Sequence, residues 1–150
     1  NGIFKVTDPT CGGQFAVSLQ RAAGDDAWRV GNNSKFSADF SLPRDAKIDL
    51  YFTLDGVRHL VEMTGAQRAD ARVKKLGDAA LAAGMEEDGK VWRHVSFALG
   101  AALKKMYPQR ENFPIENIEI GALHGDEYRW QGLMGNPLGI SYEIKNAKLE

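Results

Sequence analysis

A chain of 150 residues is long enough for one domain with a sizeable core, and 43% hydrophobic with 26% charged residues excludes a disordered segment. The 19 basic and 20 acidic residues leave a formal net charge of -1, and no basic block tracks a phosphate backbone, which excludes nucleic acid as the main partner. The longest apolar runs fall far short of a membrane span, so a water-soluble chain is expected.

The first residue is Asn1 with no initiator Met, which reads as a segment of a longer processed protein. Residues 1–148 are taken as one domain. Leu149-Glu150 is a pair that often remains from a vector-encoded tag and is set aside from functional reasoning. The single Cys11 forms no internal disulfide and is compatible with either a reducing or an oxidising compartment.

Short β-like runs between turn signals dominate the chain. Residues 3–6 open it, and Asp8-Pro9 with Gly12-Gly13 breaks it. Phe15, Val17 and Leu19 then alternate with small or polar residues, the period of a half-buried strand. Gly24-Asp25-Asp26 turns into a run at 28–30, and Gly31-Asn32-Asn33 turns into a strand at 36–42, closed by Pro43.

Residues 47–64 carry the clearest pattern. Ile48, Leu50, Phe52 and Leu54 share one face, and Lys47, Asp49, Tyr51 and Thr53 share the other. Asp55-Gly56 is a two-residue hairpin signal because both positions tolerate positive φ. Residues 57–64 return, with Val57, His59, Val61 and Met63 on one face.

Over 66–87, Ala69, Val73, Leu76 and Ala80 fall at helical spacing and predict a helix, although Gly77 and Gly84 weaken it. A strand at 91–99 follows Asp88-Gly89, with Trp92, His94 and Ser96 on one face. Leu99, Ala102, Leu103 and Met106 give the stripe of a short amphipathic helix ended by Pro108. A strand at 115–120, a Gly-rich loop at 121–139 and a last strand at 140–149 complete the chain. Some eight strands without β-α-β alternation predict an antiparallel β-sandwich, with jelly-roll topology preferred.

Four stretches carry a resemblance: Val6-Thr7-Asp8-Pro9 with Gly12-Gly13-Gln14-Phe15; Lys47-Ile48-Asp49-Leu50-Tyr51-Phe52 running into Asp55-Gly56; Asp88-Gly89-Lys90-Val91-Trp92-Arg93-His94-Val95 before Ala98-Leu99-Gly100-Ala101-Ala102-Leu103; and Gly135-Asn136-Pro137-Leu138-Gly139 with Tyr142-Glu143-Ile144-Lys145-Asn146. In this order they resemble the galactose-binding-like β-sandwich domains, the jelly-roll group that includes many carbohydrate-binding modules. The resemblance implies glycan recognition in an exported, modular bacterial protein (secreted, periplasmic or at the cell surface). Its closing strand usually has Asp where this chain has Lys145. That Asp often supports a structural calcium ion, and an ammonium cannot ligate a hard cation, so no calcium site is carried over.

Sugar binding needs a flat aromatic face for C–H groups and planar polar groups for paired hydroxyls. The loop from His124 to Asn136 holds both: Tyr128 or Trp130 for stacking, and Asp126, Arg129, Gln131 and Asn136 for hydrogen bonds. A second candidate is a sheet face carrying Asp49, Tyr51, Trp92 and His94, which line one groove if the strands from 47 and 91 share a sheet. Against it stands burial of Trp92 beneath the helix at 99–107. Trp28 with Asn32 and Asn33 is a third.

Enzyme signals are weak. His59, His94 and His124 lack zinc spacing, Cys11 has no nearby basic partner, and Glu86-Glu87 and Asp126-Glu127 read as solvated acids rather than a glycosidase pair. The resemblance, with the polar-aromatic loop from His124 to Asn136, implies a non-catalytic carbohydrate-binding module without cofactor or metal. Its expected partners are a polysaccharide or oligosaccharide and the neighbouring domains of its parent. The alternative is a structural or protein-interaction domain with no sugar affinity.

Overall fold

Two Asp-Gly pairs set the local frame of the fold. Strands β5 (Asp49–Leu54) and β6 (Val57–Glu62) are joined by Asp55 and Gly56 at φ 51° and 75°. Strands β8 (Met85–Glu87) and β9 (Lys90–Phe97) are joined by Asp88 and Gly89 at the same angles. Both are two-residue turns with consecutive positive φ, whose twist matches that of the strands they connect. At the first tip, Arg110 holds the Asp55 carboxylate, and Gly56 N donates to Glu116 Oε1 at 3.0 Å. The hydrogen bond from Arg110 keeps the Asp55 carboxyl below its ordinary value.

A computed structural model of the chain describes residues 2–7, 15–19, 28–65, 73–123, 130–131, 134–136 and 139–150. Among these residues the other strands are β1 (Phe4–Thr7), β2 (Phe15–Leu19), β3 (Trp28–Val30), β4 (Phe36–Ser41), β7 (Val73–Asp78), β10 (Phe113–Ala122), β11 (Trp130–Gln131), β12 (Met134–Gly135) and β13 (Ser141–Leu149), with one helix, α1 (Leu99–Met106). One sheet runs β1-β13-β4-β9-β8. The other runs β2-β10-β5-β6-β7, with β3 also on β10. Pairing is antiparallel except for β7 on β6 and β11 on β12.

Eight of these strands form the frame: β1, β2, β4, β5, β6, β9, β10 and β13. Numbered along the chain, they read 1-8-3-6 in one sheet and 2-7-4-5 in the other. That is the double Greek-key order of a jelly roll. The expected antiparallel sandwich with a short helix is what the chain forms.

The core lies between the sheets. Phe36 of β4 meets Phe52 of β5 edge-on at 5.5 Å between ring centroids, and Phe15 of β2 meets Tyr142 of β13 at 5.8 Å. The Tyr142 hydroxyl crosses the gap to donate to the Ile120 carbonyl at 2.7 Å, so its one polar atom is satisfied in an apolar layer. Ile48, Leu50, Phe52 and Leu54 all point into this core, as their alternation predicts.

The expected helix over 66–87 is corrected for its described part: 73–78 and 85–87 are strands β7 and β8. Val73 is buried on the outer face of β6, and Ala79 N donates to Glu62 O at 2.8 Å. A weak helical stripe interrupted by Gly77 and Gly84 is overridden by backbone pairing to an open sheet edge. The Asp88-Gly89 turn then folds β8 onto β9. Residues 66–72 lie outside the described residues.

Helix α1 closes one end of the sandwich through Leu99 and Leu103. Beyond it, Tyr107 reaches the fully covered His59 of β6, its hydroxyl 2.6 Å from Nε2, while His59 Nδ1 lies 2.9 Å from the Val57 carbonyl. A carbonyl only accepts, so Nδ1 carries the proton and Nε2 accepts from Tyr107. Burial pushes the His59 pKa below its ordinary 6.5, outweighing the backbone hydrogen bond. Below about pH 6.5 the unfolded chain therefore binds a proton that the folded chain refuses, and stability falls as pH falls. The thermal midpoint is expected to drop between pH 7 and 5, with a shallower drop in His59→Gln. Equal slopes in the two proteins would remove His59 as the cause.

Candidate functional site: a loop anchored at both ends

The first strand of the hairpin does more than fill the core. Its outward residue Tyr51 is fully buried with Leu60, Val73 and Leu123 on the outer face of the six-stranded sheet. The Tyr51 hydroxyl lies 3.2 Å from both the carbonyl oxygen and the amide nitrogen of Leu123, donating to the first and accepting from the second. Leu123 is the last residue before the His124 to Asn136 segment, so this phenol clamps the segment's entry.

The exit is held just upstream on the same stretch of chain. Asn136 is fully buried. Its Oδ1 accepts from Lys47 N at 2.7 Å, and its Nδ2 donates to Lys47 O at 3.0 Å. The side-chain amide thus imitates a strand partner for one residue, with its oxygen and its nitrogen each engaged by Lys47. Between the anchors, Trp130 and Gln131 pair in parallel with Met134 and Gly135. His124, Asp126, Tyr128 and Arg129 lie outside the described residues, and for Trp130 and Gln131 only the strand pairing of the backbone is described.

Nearby polar groups stiffen the base of the loop. The buried Asp49 carboxylate accepts from Met63 N at 2.8 Å and Gly65 N at 3.0 Å, tying the end of β6 back to β5. A Cβ on Gly65 would come within 1.9 Å of that carboxylate, so glycine permits the approach. Across the same face Arg58 and the largely covered Glu119 pair at 2.9 Å.

The expected sheet-face groove does not form. Strand β5 belongs to the six-stranded sheet and β9 to the five-stranded one. Tyr51 therefore faces one outer surface of the sandwich, while Trp92 and His94 face the other. Trp92 is only 6% exposed, and its cover is the Lys145 ammonium, 4.2 Å from the ring centroid, not α1, which packs on β7. Lys145 is also held by Glu87 Oε2 at 2.6 Å. The Lys145 ammonium thus occupies the indole face, leaving it closed to a stacking sugar.

His94 is open to solvent, with Nδ1 2.7 Å from Asp39 Oδ1, and Asn146 Nδ2 donates to Asp39 Oδ2 at 2.8 Å. Burial pushes the Asp39 carboxyl up, but the hydrogen bonds from Asn146 and His94, with the charges of His94 and Lys145, outweigh it and hold the pKa below its ordinary value. Trp28 is half-buried against the core, as a residue closing one end of the sandwich would be. No group of three His, Cys, Asp or Glu side chains that could hold a metal ion occurs among the described residues. No described helix is long and apolar enough to cross a membrane.

The anchors Tyr51 and Lys47 were not among the strongest sequence signals, because their partners lie 72 and 89 residues away. No protein-family model, curated protein or solved structure matches the chain.

Proposed function

We propose that this chain is a non-catalytic carbohydrate-binding module of a larger exported bacterial protein. The observation that carries the reading is the double anchoring of the polar-aromatic segment. Tyr51 clamps its entry at Leu123, and Asn136 locks its exit to Lys47. Long loops in compact domains that are positioned by a rigid scaffold are characteristically functional.

In this reading Trp130 and Tyr128 stack on sugar C–H faces, and Asp126, Arg129, Gln131 and His124 bond the hydroxyls. Asn136 contributes by positioning the loop. Binding of this kind raises the effective concentration of a neighbouring domain at its polysaccharide. The test separates binding from folding. Trp130→Ala is expected to abolish glycan binding with the thermal midpoint nearly unchanged, and Asn136→Ala to weaken it while costing about 1–3 kcal/mol of stability, because the Lys47 amide and carbonyl lose their partner. A large stability loss in Trp130→Ala would make that side chain a core residue and sink its stacking role.

A second reading, a protein-contact domain without sugar affinity, draws on Met85 and Val91, which are 76% and 54% exposed on the β8–β9 edge. It predicts concentration-dependent association that Met85→Lys abolishes.

A further inference from the structure

The ladder of β1 on β13 stops at Phe4 opposite Ile144. From Lys145 onward, β13 pairs only with β4 among the described residues. Facing it across the gap between the sheets is β2, an edge strand of the six-stranded sheet. Between these two edges lies a cleft of about 540 Å³. Its floor includes Phe36, Ile118 and Ile144, each only 1% exposed, and its walls Val17, Leu19 and Trp28, which are partly buried. Phe4 stands at the mouth, 58% exposed.

Three occupants can be compared on physical grounds. A sugar carries hydroxyls in every direction, and although Ser18, Lys145, Asn146 and Lys148 also line the cleft, the floor of Phe36, Ile118 and Ile144 offers no partner to the hydroxyls laid on it, so each of those costs free energy. A guest β-strand needs a continuous edge ladder. Here the edge is broken by a register shift between Lys145 and Lys148, with Asn146 at φ 55°, the kind of bulge that blunts strand addition. An acyl chain needs neither hydroxyl partners nor a ladder, and the volume falls within the range of small-molecule sites.

Charge at the rim completes the match. Lys148 lines the cleft, and its ammonium pairs with Glu150 at 3.1 Å. Both side chains are mostly exposed, at 59% and 65%. Such a surface pair is weak, so an incoming carboxylate can take the place of Glu150.

We propose that this inter-sheet cleft binds the acyl chain of a small amphipathic anion, with its carboxylate at Lys148. No lining residue of the cleft belongs to the anchored segment, and the proposal stands independently of the glycan reading.

The test uses cis-parinarate, which fluoresces when it leaves water, titrated into the whole chain. Saturable enhancement at one site per chain is expected, with displacement by decanoate and not by maltohexaose. Val17→Trp fills the cleft and should weaken binding by roughly tenfold or more, since even one methylene in an apolar pocket is worth that much. Lys148→Glu should weaken decanoate several-fold and leave decanol unchanged. Methyl chemical shifts of Val17, Leu19, Ile118 and Ile144 in the unaltered chain should move on adding decanoate, a readout that holds even if Val17→Trp fails to fold. No enhancement, displacement by maltohexaose, or shifts confined to other methyls would overturn the proposal.

Discussion

Replacing Phe52 by Ala is expected to cost about 3–5 kcal/mol, the usual penalty for emptying a fully buried aromatic position. Phe52 is fully buried and is one half of the edge-on pair that links β5 to Phe36 of β4. The loss therefore falls on contact between the two sheets, with a cavity left where neither can easily close. For a domain of this size each kcal/mol lowers the thermal midpoint by roughly 2–4 °C, so a drop of roughly 6–20 °C is expected by calorimetry. Because net stability is commonly only about 5–15 kcal/mol, one side chain accounts for a large share. A drop of only a degree or two would mean that the sheets are held together elsewhere.

Gly100→Ala should be nearly as damaging, against the ordinary rule that alanine stabilises a helix by about 1 kcal/mol over glycine. Gly100 lies in the first turn of α1, where its amide donates to the Ser34 carbonyl at 2.9 Å. A Cβ there would sit 1.9 Å from the Gly31 carbonyl oxygen and 2.8 Å from the Asn32 carbonyl carbon. These are backbone atoms of the turn leading into β4 and cannot rotate aside. The helix must move, lifting Leu99 and Leu103 from the core. A loss of about 3 kcal/mol is expected, at the upper end for overpacking. Ala101→Gly is the control: Ala101 is exposed on the same helix and should cost about 1 kcal/mol by propensity alone. If Gly100→Ala proves stabilising, the close approach of α1 to that turn is not maintained in solution.

The legible parts of the fold were those whose cause is local. Alternation from Ile48 to Leu54 and the Asp55-Gly56 pair specify a hairpin without reference to the rest of the chain. The stripe from Leu99 to Met106 likewise carries its own period. Strand β7 was illegible because its pairing is decided by an available sheet edge, not by its own pattern; β8 is set by the Asp88-Gly89 turn, but its three residues, Met85–Glu87, carry no strand pattern of their own. The same holds for the site. Tyr51 and Trp92 share outward alternation, yet only topology assigns them to opposite surfaces. Asn136 stands in a Gly-rich run where any amide invites a ligand role. Its commitment to Lys47 depends on two segments distant in sequence meeting in space. Nothing local to Lys145 in the sequence shows that its ammonium would cover Trp92, a contact between two strands more than fifty residues apart.

The central claim is that the anchored segment between Leu123 and Asn136 recognises glycan. Affinity electrophoresis of the chain through gels containing each of a panel of soluble polysaccharides tests it most directly. Retardation by at least one polysaccharide, lost in Trp130→Ala, is predicted. Unchanged mobility in every gel would contradict the claim.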